Sequence, residues 1–254
     1  MEREFGTSTY GYVQLYSNGK SGHDADGIVN FPAATGGGVY YDGKLKYLYY
    51  LNSYGYVIMF LYTYDTETWQ MPTNPVQIQT YEFYAVSTTY DPITKKAYGC
   101  YYNQDGTQLE IAQVDYETMT HTKLAATDTT YYGFAANKQG EIYAISEGGN
   151  LYKVDKTNGA VTKIGFTGVK PDKYVQSAAF DMRTGKLYWA SQETNGSHLY
   201  EVNTQTGAAT RIGSFPDHEE VTCLYVPCLW QKTEPPQWLP TLHSHSTMLL
   251  KVAA

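Results

Sequence analysis

Paired carboxylates, closely spaced imidazoles and clustered aromatic rings are the groups in this chain that could do chemistry. Glu219 and Glu220 stand together ahead of an apolar run, EEVTCLYVP at 219–227. Two acids at the mouth of a central channel could serve glycoside hydrolysis, which needs paired carboxylates with one pKa raised. Surface charge is the competing reading. Asp24 and Asp26 in GHDADG could begin a calcium loop. Ile28, Val29 and Asn30 follow where further ligands would be needed, so a polar loop is expected instead. His243 and His245 would share one face of a strand, a chelating spacing. No third ligand follows in sequence, and no metal site is expected. His23, His121, His198 and His218 fall on turns and strand ends and are expected to be solvated. No GxSxG, HExxH or phosphate-binding glycine loop is present, and no cofactor is expected.

The elements that would position such groups follow from a repeat. TKKAYG, GEIYAI and GKLYWA place Tyr98, Tyr143 and Tyr188 at two successive spacings of 45 residues. A period in that range marks four-stranded blades set radially in a β-propeller. The segment 174–215 reads as YVQSAAFD, turn, KLYWASQ, turn, HLYEVN, turn, AATRIGSF. Asn195-Gly196 in its second turn is a strong hairpin signal. Asp65, Asp115, Asp155 and Asn203 begin turns of one type, where a short polar side chain accepts bonds from its own turn backbone. Asp91 and Asp181 end inner strands and are expected to cap turns.

Four nearly complete blades fill 38–215. The remaining strand-like runs are YGYVQLY at 10–16, DGIVNF at 26–31 and 219–227. Joined, they would make a composite blade from both termini, which removes free sheet edges. The expected fold is therefore all-β, a propeller of five blades. A six-bladed or incomplete ring is the alternative. The domain boundaries expected are a disordered 1–9, a propeller at 10–227 and an irregular tail at 228–254. That tail has no Tyr, no Gly and no strand or helix period. It reads as a truncated linker, or as an out-of-frame run. For suitably chosen codons, a one-base shift from Cys228 gives an acidic Ala/Pro linker leading into an alternating strand.

The chain has 27 tyrosines. Tyr joins an apolar ring to a hydrogen-bonding tip and suits both half-buried strands and binding surfaces. Tyr98, Tyr143 and Tyr188, like Tyr152 and Tyr200, occupy equivalent blade positions and are expected to pack between blades. The unrepeated Tyr131, Tyr132, Tyr174 and Trp189 are the aromatic candidates for a rim or channel contact. With Glu219 and Glu220 they form the candidate ligand-binding set.

Bulk properties narrow the function classes. A net charge of −7, without a basic cluster, disfavours nucleic acid. No apolar run reaches the roughly 18 residues needed to span a bilayer, so no membrane insertion is expected. Three cysteines define no disulfide framework; Cys100 and Cys223 read as small core residues. The start MEREFGTSTYGY lacks signal-peptide order, yet charged residues are only 17%, as in exported β proteins with neutral polar surfaces.

GGGVYYDGKLKYLYY, TTYDPITKKAYGCYYN, FAANKQGEIYAISEGGNLYKVDKTNGAVTKIG and QSAAFDMRTGKLYWAS resemble a group of exported gut-bacterial β-propeller proteins. In these the propeller often precedes fibronectin-type or jelly-roll domains. The resemblance covers roughly 10–227 and implies an extracellular or cell-envelope location. It carries no catalytic residues. The expected role is a monomeric, non-catalytic binding or scaffold module for a glycan, peptide or protein. The alternatives are a glycan-active hydrolase or lyase with its site at the channel mouth, and a structural spacer.

Overall fold

The computed structural model describes residues 38–53, 56–65, 74–78, 83–103, 105–172, 176–215, 221 and 223–226. Sixteen strands in these residues form four separate antiparallel sheets, each paired in sequence order. The first sheet is β1 (Gly38–Tyr41), β2 (Lys44–Ser53), β3 (Tyr56–Asp65) and β4 (Val76–Ile78). The second is β5 (Phe83–Asp91), β6 (Lys96–Asn103), β7 (Leu109–Asp115) and β8 (Thr120–Thr127). The third is β9 (Tyr131–Ala136), β10 (Ile142–Ser146), β11 (Asn150–Val154) and β12 (Val161–Phe166). The fourth is β13 (Ser177–Asp181), β14 (Lys186–Glu193), β15 (Gly196–Val202) and β16 (Ala209–Ser214). The inner strands neighbour one another, β1 beside β5, β5 beside β9 and β9 beside β13. This is a propeller arrangement of four-stranded blades.

Local chemistry sets each blade. At the third-to-fourth turn, Asp115 accepts the amides of Glu117 at 2.9 Å and Thr118 at 3.2 Å. Asp155 accepts Thr157 N at 2.8 Å, and Asn203 accepts Gln205 N and Thr206 N at 2.9 and 3.0 Å. These are the expected side-chain turns. The equivalent turn after Asp65 lies outside the described residues. Four residues past each acceptor the backbone is left-handed, at Met119 (φ 55°), Gly159 (φ 74°) and Gly207 (φ 83°). The third-to-fourth pairing then slips at one repeated station: Ile111/Ala112, Leu151/Tyr152 and Leu199/Tyr200. Such bulges increase local twist, which suits outer strands that must fan away from an axis.

The core lies between blades, not within them. Val39, Leu48 and Leu61 meet Ala97, Tyr101, Val114 and Tyr116 between blades one and two. Tyr98, Cys100 and Ile111 meet Phe134, Ile142 and Val154 between two and three. Ala135, Tyr143, Ile145 and Leu151 meet Phe180, Leu187, Trp189 and Tyr200 between three and four. Each fully buried large side chain contributes on the order of 1.5–3 kcal/mol, so a blade alone cannot be stable. The close fit shows at Gly165 of β12: a Cβ there would strike the Thr206 carbonyl of the next blade.

A fourth seam joins Ala190, Leu199 and Phe215 to Val221, Leu224 and Val226. Residues 221 and 223–226 thus lie against blade four. Tyr225 in the same segment stacks on Tyr40 of blade one, with ring centroids 4.1 Å apart. Four complete blades stand among the described residues, where five or six were expected. The strands expected at 10–16 and 26–31 lie outside the described residues, as do 1–9 and 228–254.

Candidate functional site

Among the described residues, the first-to-second and third-to-fourth turns of each antiparallel blade sit at one end. The second-to-third hairpins and the links between blades sit at the other. Tyr131 and Tyr132 open β9 at this link end. Tyr131 is buried (2% exposed) and Tyr132 nearly so (7%). The Tyr131 ring meets Phe134 and Tyr152 edge-on, at 5.9 and 5.6 Å. Burial, then the neighbouring Tyr152, pushes the Tyr131 hydroxyl up to about 12.

The links differ in length. Residues 128–130 join blades two and three, whereas 167–176 join three and four. The longer link is pinned at both sides. Thr167 donates from its amide and hydroxyl to the Gly149 carbonyl, at 2.9 and 2.7 Å. Asp172 donates its amide to the Gln192 carbonyl at 3.0 Å, and its carboxylate accepts the Thr194 hydroxyl at 2.8 Å. The link is therefore bonded to the hairpins of both blades it joins.

Where the link enters blade four, buried polar groups gather. Gln176 Oε1 accepts the Trp189 indole N–H at 3.1 Å, with both side chains buried. Ser191 lies directly opposite His198 across β14 and β15, and both are buried. His198 meets the Tyr200 ring edge-on, and the Tyr200 hydroxyl donates to Glu193 at 2.8 Å.

Trp189 was expected at a rim or channel. It is instead fully enclosed in the seam between blades three and four, where an indole of its size fills the space beside Tyr200. Its route to the link end is the hydrogen bond to Gln176. Tyr174, Glu219 and Glu220 lie outside the described residues. The histidine expectation is corrected for two residues. His198 is 4% exposed, and the His121 side chain is 10% exposed, 2.7 Å from the buried Glu110 carboxylate. The His121 ring meets Tyr101 edge-on and the His198 ring meets Tyr200, contacts that position at a strand end did not reveal.

The buried acids have structural partners. Asp91 accepts Ile93 N at 2.9 Å, the Thr94 hydroxyl at 2.8 Å and the Lys156 ammonium of the next blade at 2.6 Å. Asp181 accepts Arg183 N and the Thr184 hydroxyl, at 2.9 and 2.7 Å. Glu110 faces His121, with Lys123 at 3.4 Å. Among the described residues no group of three or more His, Cys, Asp or Glu is placed to hold a metal. No described helix is long and apolar enough to cross a membrane.

Gln176 and the 167–176 link were missed as site elements. The signal that could have found them is the unequal spacing between outer and inner strand runs.

No family model matches this chain, and no curated protein matches it. Solved structures do. TolB from Acinetobacter baumannii aligns with a TM-score of 0.52 at 13% identity, over 96% of this chain and 64% of that one. A nidogen/laminin complex aligns with a TM-score of 0.47 at 10% identity, over 85% and 65%. A virginiamycin B lyase from Staphylococcus aureus aligns with a TM-score of 0.46 at 10% identity, over 85% and 64%. The chain spans less than two thirds of each. At these identities the likeness concerns fold alone, and that to TolB agrees with the propeller arrangement.

Proposed function

We infer that this chain is a non-catalytic binding or scaffold module of an exported or cell-surface bacterial protein. Its ring has five positions, and it holds a glycan, peptide or protein at the link end. The proposed contact residues are Tyr132, which opens β9 beside the buried Tyr131, and, from the sequence alone, Tyr174, Glu219 and Glu220. Trp189 serves as a support beneath the surface.

The observation that carries this reading is the 167–176 link. It departs from the repeat in length, yet it is bonded at Thr167 and Asp172 to the hairpins of two blades. A long loop held in place by a rigid scaffold is where binding groups concentrate. Each of the buried carboxylates Asp91, Glu110 and Asp181 is engaged by partners in its own or the adjoining blade. That favours binding over the hydrolase or lyase reading, which needs two acids aimed at one substrate. Fold alone does not decide between them.

The test is capture of ligands by the full chain on glycan and peptide arrays, repeated with Tyr132→Phe and Asp172→Ala. Retained binding by both variants would move the site away from this end. Cleaved glycan would favour the enzyme, and no capture at all the spacer.

A further inference from the structure

The second-to-third hairpin of blade four carries a reactive dipeptide, Asn195-Gly196. Thr194 and Asn195 form the turn between β14 and β15, and Gly196 pairs with Glu193 as the last rung of the ladder. Asn195 is exposed, and its carboxamide makes no hydrogen bond among the described residues. An asparagine ahead of glycine has an intrinsic reaction, because no Cβ obstructs approach to the glycine nitrogen. The Gly196 N–Asn195 Cγ bond forms and the Cγ–Nδ2 bond breaks. The displaced proton leaves on Nδ2 as ammonia, and a succinimide ring remains. Water then adds at either ring carbonyl and opens the ring to aspartate or isoaspartate. Water is consumed, ammonia is released, and nothing is oxidised or reduced.

Asn158-Gly159 is the same dipeptide in the third-to-fourth turn of blade three, and its surroundings oppose the reaction. Asn158 Oδ1 accepts the Ala160 amide at 2.8 Å, and the Gly159 amide donates to the Asp155 carbonyl at 2.8 Å. Gly159 also sits, with left-handed backbone, against Leu124 and Ala125 of blade two. Ring closure there must break both hydrogen bonds and move the turn off the neighbouring blade. Both asparagines are exposed and both glycines buried, so bonding and not exposure separates the two sites. A terminal hairpin rung opens more readily than a turn packed between blades.

The product falls on the attachment of the long link to blade four. The Thr194 hydroxyl, one residue earlier, donates to the Asp172 carboxylate at 2.8 Å, and the Asp172 amide donates to the Gln192 carbonyl at 3.0 Å. A carboxylate at 195 adds negative charge next to that contact, and like charges repel. Isoaspartate routes the backbone through the former side chain, which adds a carbon atom to a tight turn.

We propose that Asn195 deamidates spontaneously in the folded protein, and that the product loosens the 167–176 link from blade four. This holds whatever the link end binds. The test incubates the full chain in neutral buffer at body temperature, with trypsin digestion and mass spectrometry at intervals against the unincubated protein. Peptide 187–211 carries Asn195, and peptide 157–163 carries Asn158. Fragmentation is expected to place the change from amide to acid at Asn195, not Asn203. It should run about tenfold faster than at Asn158, whose two hydrogen bonds must open first. In urea the two sites should convert at similar rates. Hydrogen exchange of the Asp172 amide should quicken as Asn195 converts, while the Thr167 amide, held by Gly149, stays protected. Asn195→Ser cannot close the ring and should keep Asp172 protected throughout. Equal conversion at Asn195 and Asn158 in the folded chain, or none at Asn195, would overturn the site. A difference that persists in urea would overturn the role given to the turn bonds. Conversion that leaves Asp172 exchange unchanged, or exchange that quickens equally in Asn195→Ser, would overturn the loosening.

Discussion

Ser177 receives the amide hydrogen of Leu224 at 2.8 Å, 47 residues further along the chain. Ser87 and Phe134 show that relationship two seams earlier, between blades two and three, at 2.9 Å. Inner strands of a propeller splay apart and cannot pair along their length, so some buried amides need a side-chain acceptor. A buried amide left without one costs about 1–3 kcal/mol.

Ser177→Ala and Ser87→Ala are therefore each expected to lose about 1–3 kcal/mol of stability. Urea unfolding of the full chain measures this. A loss for Ser87→Ala without one for Ser177→Ala would mean that Leu224 is not held as Phe134 is.

Asp91 is fully buried and binds the Lys156 ammonium of the next blade at 2.6 Å. Asp91→Ala strands that ammonium, the Ile93 amide and the Thr94 hydroxyl. Lys156 keeps some access to water, so the expected cost is about 2–3 kcal/mol, below that of a wholly buried pair. Glu201→Gln, at the exposed pair with Lys186, is expected to leave the urea midpoint unchanged. Equal effects would deny Asp91 a role in joining blades.

Much of this frame is legible from residue types. The tyrosine spacing gives the blades, and Asp115, Asp155 and Asn203 act as turn acceptors as their short polar side chains imply. Cys100 and Cys223 are buried, as apolar strand patterns imply. The burial of Trp189 and His198 is not legible in the same way. Each sits on a strand whose two faces both meet neighbouring blades, so alternation along β14 or β15 cannot separate core from surface. The Asp91–Lys156 pair joins residues of different blades, and no local pattern announces it.

Asp181 gives a sign to the acid limb. Burial pushes its pKa up, but hydrogen bonds from the Thr184 hydroxyl and the Arg183 and Thr184 amides outweigh this and bring it below the ordinary value. A depressed folded-state value stabilises above the unfolded pKa and is lost as pH falls through the folded one. Unfolding followed from pH 6 to pH 2 should steepen below about pH 4, and Asp181→Asn should flatten it. An unchanged slope in the variant would contradict this.

On the alkaline side, burial raises the Cys100 thiol and the Tyr131 hydroxyl to about 12. Both groups ionise more readily in the unfolded chain, so stability is full below their unfolded values and is lost as pH rises toward 12. Native Cys100 should resist thiol reagents at pH 8 and react once urea unfolds the chain. Fast labelling of the native protein at Cys100 would be the contrary result.

The most direct measurement is hydrogen exchange at two amides, Leu224 and Phe134, in the full chain. If residues 221–226 fill an inner-strand position, the two exchange with comparable protection. Ser177→Ala should then release Leu224 as Ser87→Ala releases Phe134. A Leu224 amide exchanging at the free-chain rate, beside a protected Phe134, would contradict the five-position ring and the link end built on it.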